Sequence, residues 1–175
     1  ANEVRLGYER SLFPHWIDAD GDGCHTRREV LIVEALVAPI LGADCSIYGG
    51  QWRSLYDEIV FSDASDLDVD HVVALAEAWD SGAHEWAPDR RTRFANDLEA
   101  PWALIAVSAA SNRTKSDQDP SQWLPPSAAF RCTYVSMWVA VKARWWLTID
   151  TAEQAALQEV ATSCLDQQVE FTIAP

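Results

Sequence analysis

Two stretches decide how this chain folds: Asp68-Val69-Asp70-His71, and further on Asn112-Arg113-Thr114-Lys115-Ser116-Asp117. Leu67 to Val73 alternates apolar and polar residues, which predicts a strand. Trp102 to Val107 is a continuous apolar run, short enough for a second, buried strand. Ser108 to Ser116 is small and polar with helical propensity, so Asn112 and Lys115, three apart, share a helical face. The order is strand, long connection carrying Asn96, strand, helix, with a carboxylate and an imidazole side by side at the end of the first strand.

That grouping points to metal-assisted hydrolysis. A hard divalent ion takes oxygen ligands; Asp70 and Asn112 offer a carboxylate and an amide and leave positions for water and phosphate. His71, neutral near pH 7, accepts a proton from an attacking water. Each residue also has a bland reading: His71 as a satisfied core histidine, Asp70 as a turn cap. Asp68 shares a strand face with Asp70; it either assists the metal or pairs with an arginine, and the pairing is the one expected.

The residues Asp68-Val69-Asp70-His71-Val72-Val73-Ala74-Leu75, Ala78-Trp79-Asp80-Ser81-Gly82-Ala83, Phe94-Ala95-Asn96-Asp97, Asn112 to Asp117, and Asp119-Pro120 with Trp123-Leu124-Pro125 form an ordered set. The chain resembles the HNH (ββα-metal) nucleases. In particular it is similar to secreted actinobacterial HNH endonucleases related to the C-terminal domain of GmrSD-type restriction enzymes. The resemblance implies an α+β fold, a ββα-metal hairpin and helix wrapped by further helices. It implies His71 as general base, Asp70 and Asn112 as ligands of Mg²⁺ or Mn²⁺, and Asn96 as the residue holding the inter-strand loop and so orienting His71. Arg113 and Lys115 would meet phosphate. Arg93, with Arg90 and Arg91, reads equally as a solvated run or as a nucleic-acid track.

The length of 175 residues fits one domain: an acidic loop and helix over 1–50, the ββα core over 51–126, and helices over 127–175. The formal charge of −14 argues against holding nucleic acid by overall electrostatics and leaves a local basic groove on an acidic body. Most of the nine tryptophans read as core. The four cysteines, Cys24, Cys45, Cys132 and Cys164, contain no CxxC pair, which disfavours structural zinc. Two disulfides in an oxidising compartment fit their spacing. The local pairing Cys24–Cys45 and Cys132–Cys164 is the expected one of three connectivities, with four reduced core cysteines as the alternative. No stretch approaches the ~20 apolar residues of a membrane span. Ala1 in place of an initiator Met fits a processed secreted chain as well as a trimmed one. A monomer is expected.

Asp18-x-Asp20-x-Asp22-Gly23, with Glu29 at the twelfth position, matches the calcium-loop pattern, with the Cys24 position contributing through its backbone. The alternative is an acidic loop at the start of a 26–38 helix, with Thr26 as N-cap and Glu29 completing a capping box. The function expected is a secreted, metal-dependent, largely nonspecific endonuclease acting on DNA, with RNA as a further candidate substrate. The alternatives are an extracellular calcium-binding module on a degenerate HNH scaffold, or the nuclease module of a restriction system.

Overall fold

The computed structural model describes residues 3–175. In chain order it contains α1 (Thr26–Val33), β1 (Ile40–Leu41), β2 (Ile47–Tyr48), β3 (Trp52–Arg53), β4 (Val60–Phe61) and β5 (Leu67–His71). There follow α2 (Leu75–Asp80), α3 (Pro88–Ala95), β6 (Leu104–Ser108), α4 (Ala109–Lys115), α5 (Arg131–Trp145) and α6 (Thr151–Ala161). The strands pair as three separate antiparallel hairpins, β1–β2, β3–β4 and β5–β6. This is the expected α+β architecture, with β5, β6 and α4 forming the ββα unit.

The β5–β6 register places Asp70 opposite Ile105 and His71 opposite Leu104. Because side chains alternate along a strand, the hairpin has two different faces. Leu67, Val69, Leu104 and Ala106 pack with Val30 and Leu31 of α1 and with Trp52. Ile105 and Val107 join the larger core, which includes Phe13, Phe94, Tyr134, Trp138 and Trp145. The outer edge of β6 is covered by a side chain: Glu34, just past α1, accepts a 2.7 Å hydrogen bond from the Ala106 amide. That carboxylate stands where a third strand would pair, which blunts an exposed edge.

Buried charges in the helical layer are paired, as burial demands. Lys142 meets Glu77 at 2.6 Å and Glu153 at 3.0 Å, and also donates to Ser81. Arg144 clamps Asp97 at 2.7 and 3.1 Å and holds the C-terminal tail through Thr172. Both expected disulfides are formed, Cys24–Cys45 and Cys132–Cys164. Among the described residues no free cysteine remains and no helix is long and apolar enough to cross a membrane.

Several local expectations are corrected. The first helix ends at Val33 rather than continuing to 38, because Leu36 and Val37 pair with Gln51 in an extended bridge. His25, not Thr26, is its N-cap; the Thr26 hydroxyl is captured by the Ile17 carbonyl and by Asn96. Residues 51–61 form two short strands about a turn. At α6 the Asp150 side chain accepts from the Glu153 amide at 2.7 Å, and the Glu153 side chain turns inward to Trp138 and Lys142.

Candidate metal and nuclease site

The site is assembled at the end of β5 from which the long connection to β6 departs, and α4 is anchored to deliver its share. Ser108 caps α4, its hydroxyl accepting from the Ser111 amide at 3.2 Å. Asp57 accepts from the hydroxyls of Ser108 and Ser111. A carboxylate there also suits the positive end of the helix dipole. Burial pushes the Asp57 carboxyl up, but these hydroxyl bonds outweigh it and hold it below its ordinary value.

So fixed, α4 brings Lys115 and Asn112 against β5. The Lys115 side chain is wholly buried. Its ammonium lies 3.0 Å from Asp70 Oδ1 and 2.9 Å from Oδ2, and donates to the His71 carbonyl at 3.0 Å. Tyr56, fully buried, donates to Asp70 Oδ2 at 2.6 Å. Asn112 Nδ2 donates to Asp68 Oδ2 at 3.1 Å. Asp68 therefore pairs with the amide and not with an arginine, and by taking up Nδ2 it leaves Asn112 Oδ1 as an acceptor.

The donor set fits a divalent cation. A carboxylate has about four lone-pair positions. Tyr56 and the two Lys115 contacts occupy three at Asp70, which leaves room for one further bond. Burial raises the Asp70 carboxyl despite the lowering by Lys115 and Tyr56, so a second cation nearby would favour its charged form. With Asn112 Oδ1 and Asp68 alongside, the set is one of hard oxygens, suited to a hard divalent cation.

His71 is 6% exposed. Its Nε2 lies 2.9 Å from the Ala95 carbonyl. A carbonyl only accepts, so Nε2 carries the proton and Nδ1 keeps the lone pair. Trp16 stacks on the ring at 5.4 Å with 25° between planes, and His15 stands edge-on at 6.1 Å. Burial pushes the imidazole down to about 3, opposed by the Ala95 bond, so it is neutral at physiological pH. Asp70, His71, Asn112 and Arg113 line one cleft of about 350 Å³, together with Tyr8 and Arg10.

The placement differs from expectation at several residues. Asn96 does not touch His71; the backbone of its neighbour Ala95 does. The Asn96 side chain instead ties down the segment beneath His15 and Trp16, accepting from the Ile17 amide and Thr26 hydroxyl and donating to the carbonyls of Pro14 and Thr92. Lys115 is too deep to meet phosphate, because Asp70 holds its charge in the core. Arg93 is exposed on α3 and outside the cleft lining. Arg90 packs over Trp86 and Trp145, and Arg91 donates to the carbonyls of Leu12 and Trp86. Tyr8, Arg10, His15, Trp16 and Tyr56 are additions from the structure. They arrive from distant segments, and no local pattern marks them.

The Asp18–Glu29 loop is a separate feature. The carboxylates of Asp18, Asp20 and Asp22 bring oxygens within 4.8 Å of one another. Gly23 has φ +93°, the left-handed turn that the sixth loop position needs. Burial raises the Glu29 carboxyl, and so do Asp20, Asp22 and Asp18, so it faces the same loop. Cys24 follows, tied to Cys45. Among the described residues, the other convergent carboxylate trio is Glu3, Asp119 and Asp150; neither trio includes Asp70.

Residues 42–160 match the family of GmrSD restriction endonucleases, C-terminal domain. A protein of Arthroderma benhamiae, described as an uncharacterized secreted protein, is 43% identical over 158 residues, covering 90% of this chain and 76% of that protein. No solved structure matches. With its ββα unit carrying Asp70, His71 and Asn112, and with the matched region covering most of its length, the chain belongs to the GmrSD restriction endonuclease C-terminal domain family.

Proposed function

We propose that this chain is a secreted, divalent-metal-dependent and largely nonspecific endonuclease that hydrolyses phosphodiester bonds in DNA, with RNA as a further substrate. The observation that carries the reading is the 2.9 Å contact of His71 Nε2 with the Ala95 carbonyl: a carbonyl only accepts, so Nε2 holds the proton and Nδ1 is left as the proton acceptor of a residue that lines the cleft with Asp70 and Asn112. His71 Nδ1 takes the proton of the attacking water. Asp70 and Asn112 would hold the metal, and Asp68 orients Asn112. A bound Mg²⁺ or Mn²⁺ supplies charge neutralisation at the scissile phosphate and the leaving oxygen. Lys115 and Tyr56 fix Asp70, and Trp16 keeps bulk water off one face of the imidazole. Arg113, exposed at the rim, meets phosphate.

Plasmid DNA incubated with Mg²⁺ or Mn²⁺, with an EDTA control, tests the reading beside His71→Ala. Metal-dependent nicking lost in the variant is expected. No nicking by the parent protein would retire the activity, and equal nicking by both would remove His71 as the base. Secretion is supported by the two disulfides and by the description of the Arthroderma relative. We further assign a structural calcium to Asp18, Asp20, Asp22, Glu29 and the Cys24 carbonyl. Calcium added to chelator-stripped protein should raise the melting temperature, and Asp20→Asn with Asp22→Asn should abolish the rise. A stripped protein whose melting ignores calcium refutes the assignment.

A further inference from the structure

The cations near the cleft are unequally committed. Lys115 is held by Asp70, and Arg5 by Asp80 and Asp117. Arg10 differs. It is exposed, it lines the cleft with Asp70, His71 and Asn112, and no carboxylate lies within ion-pair distance of it among the described residues. In a chain with 27 acidic and 13 basic residues, an exposed arginine facing a cleft without an acidic partner is a cation whose charge is left for a ligand. Its contact is with an imidazole: a guanidinium nitrogen lies 3.4 Å from His15 Nε2, while His15 Nδ1 engages the Phe13 carbonyl at 2.8 Å. One tautomer satisfies both bonds, with Nδ1 donating and Nε2 accepting from Arg10.

The segment that carries Arg10 is held rigidly. Trp16 has φ +60°, an unusual conformation for a bulky residue that must be enforced by its surroundings. Asn96 enforces it from both sides, through the Pro14 carbonyl and the Ile17 amide. Arg91 pins the Leu12 carbonyl. This segment lies outside residues 42–160, the region that matches the family.

We propose that Arg10 is a phosphate-binding residue of the cleft: its guanidinium engages a backbone phosphate of the nucleic acid, and the Asn96-clamped segment presents it beside His71. The inference rests on the nucleic-acid reading of the cleft. A planar guanidinium fits two phosphate oxygens at once, a geometry an ammonium lacks.

The test is binding without cleavage. A short fluorescein-labelled DNA duplex is titrated with protein in EDTA by anisotropy, from about 50 to 200 mM KCl, for the parent, Arg10→Ala and Arg10→Lys. Each phosphate contact contributes about −0.9 to the slope of log K against log salt. Arg10→Ala should flatten the slope by about that amount, so its affinity deficit is about 3.5-fold larger at the low-salt end than at the high. Arg10→Lys should keep the slope. In the cleavage assay Arg10→Ala should raise KM about tenfold and change kcat less. An unchanged slope in Arg10→Ala overturns the proposal, as does a parent protein that binds no duplex. A parent that binds with the Arg10-dependent slope yet never cleaves with Mg²⁺ or Mn²⁺ would retire the nuclease reading alone and leave the phosphate contact standing.

Discussion

Lys115→Met tests whether the charge of Lys115 serves the core or the substrate. The ammonium is wholly buried and touches both Asp70 oxygens, at 3.0 and 2.9 Å, and the His71 carbonyl at 3.0 Å. Removing it leaves the Asp70 carboxylate buried with Tyr56 as its remaining neutral donor. Breaking a buried pair from one side costs about 3–5 kcal/mol. A domain of ordinary stability has about 5–15 kcal/mol to lose, so the variant should stay mostly folded at room temperature. Asp70→Asn strands the ammonium instead and should cost a similar amount. The double variant buries neither charge, and the amide oxygen introduced at position 70 still accepts from the Tyr56 hydroxyl. It should therefore cost about 2–4 kcal/mol less than the sum of the singles. Urea unfolding in EDTA, followed by tryptophan fluorescence, measures all four proteins. Divalent cation should then rescue Lys115→Met more than the parent, since it restores positive charge beside Asp70. Additive single costs, or a loss below about 1 kcal/mol for Lys115→Met, would refute the pairing. A variant of full stability with a flattened salt slope for DNA would instead return Lys115 to the phosphate-binding role that the family resemblance implies.

Further outcomes follow from buried groups away from the cleft. Burial carries the Glu34 carboxyl from its ordinary 4.5 up to about 7, against the opposing Ala106 amide bond. A folded value above the unfolded one means that the ionised group destabilises the fold at pH 8, and that this cost disappears as pH falls through 7 toward 4.5. Glu34→Gln keeps an acceptor for Ala106 and should add about 2 kcal/mol at pH 8 and little at pH 5; a gain equal at both pH values in urea unfolding would contradict the assignment. Replacing Cys132 and Cys164 by serine opens a loop whose ends are 32 residues apart, and should cost about 3.7 kcal/mol by loop entropy. The same change at Cys24 and Cys45, 21 residues apart, should cost about 3.3 kcal/mol. Losses below about 1 kcal/mol in denaturant titrations would show that the unfolded chain stays compact without the crosslinks.

What the sequence makes legible is whatever a short window determines. The alternation through Leu67 and Val69, the apolar run at Leu104 to Val107, and the spacing of Asn112 and Lys115 carry their own geometry, so those windows alone reveal the ββα unit. Helix α3 is hidden, because its buried side chains are Arg91, Phe94 and Ala95. An arginine that packs over Trp79 and bonds two carbonyls is buried as an apolar residue would be, yet it reads as polar. Lys115 fails for the related reason that charge in a window looks like surface, whereas its partner Asp70 comes from a segment 45 residues away. His71 shows the limit most sharply. Its acceptor is the Ala95 carbonyl, a group every residue possesses, so no pattern of side chains distinguishes it from any other. Asn96 is conspicuous in the sequence and attracts the orienting role, but its side chain works at one remove, bracing the strained turn at Trp16. The chemistry of this site therefore depends on two kinds of information. Residue identity selects the imidazole, the carboxylate and the amide, and tertiary packing selects which imidazole nitrogen keeps its lone pair. Only the second decides whether His71 can act as a base, which is why a substitution that displaces the 95–96 backbone should silence the site while leaving every family residue in place.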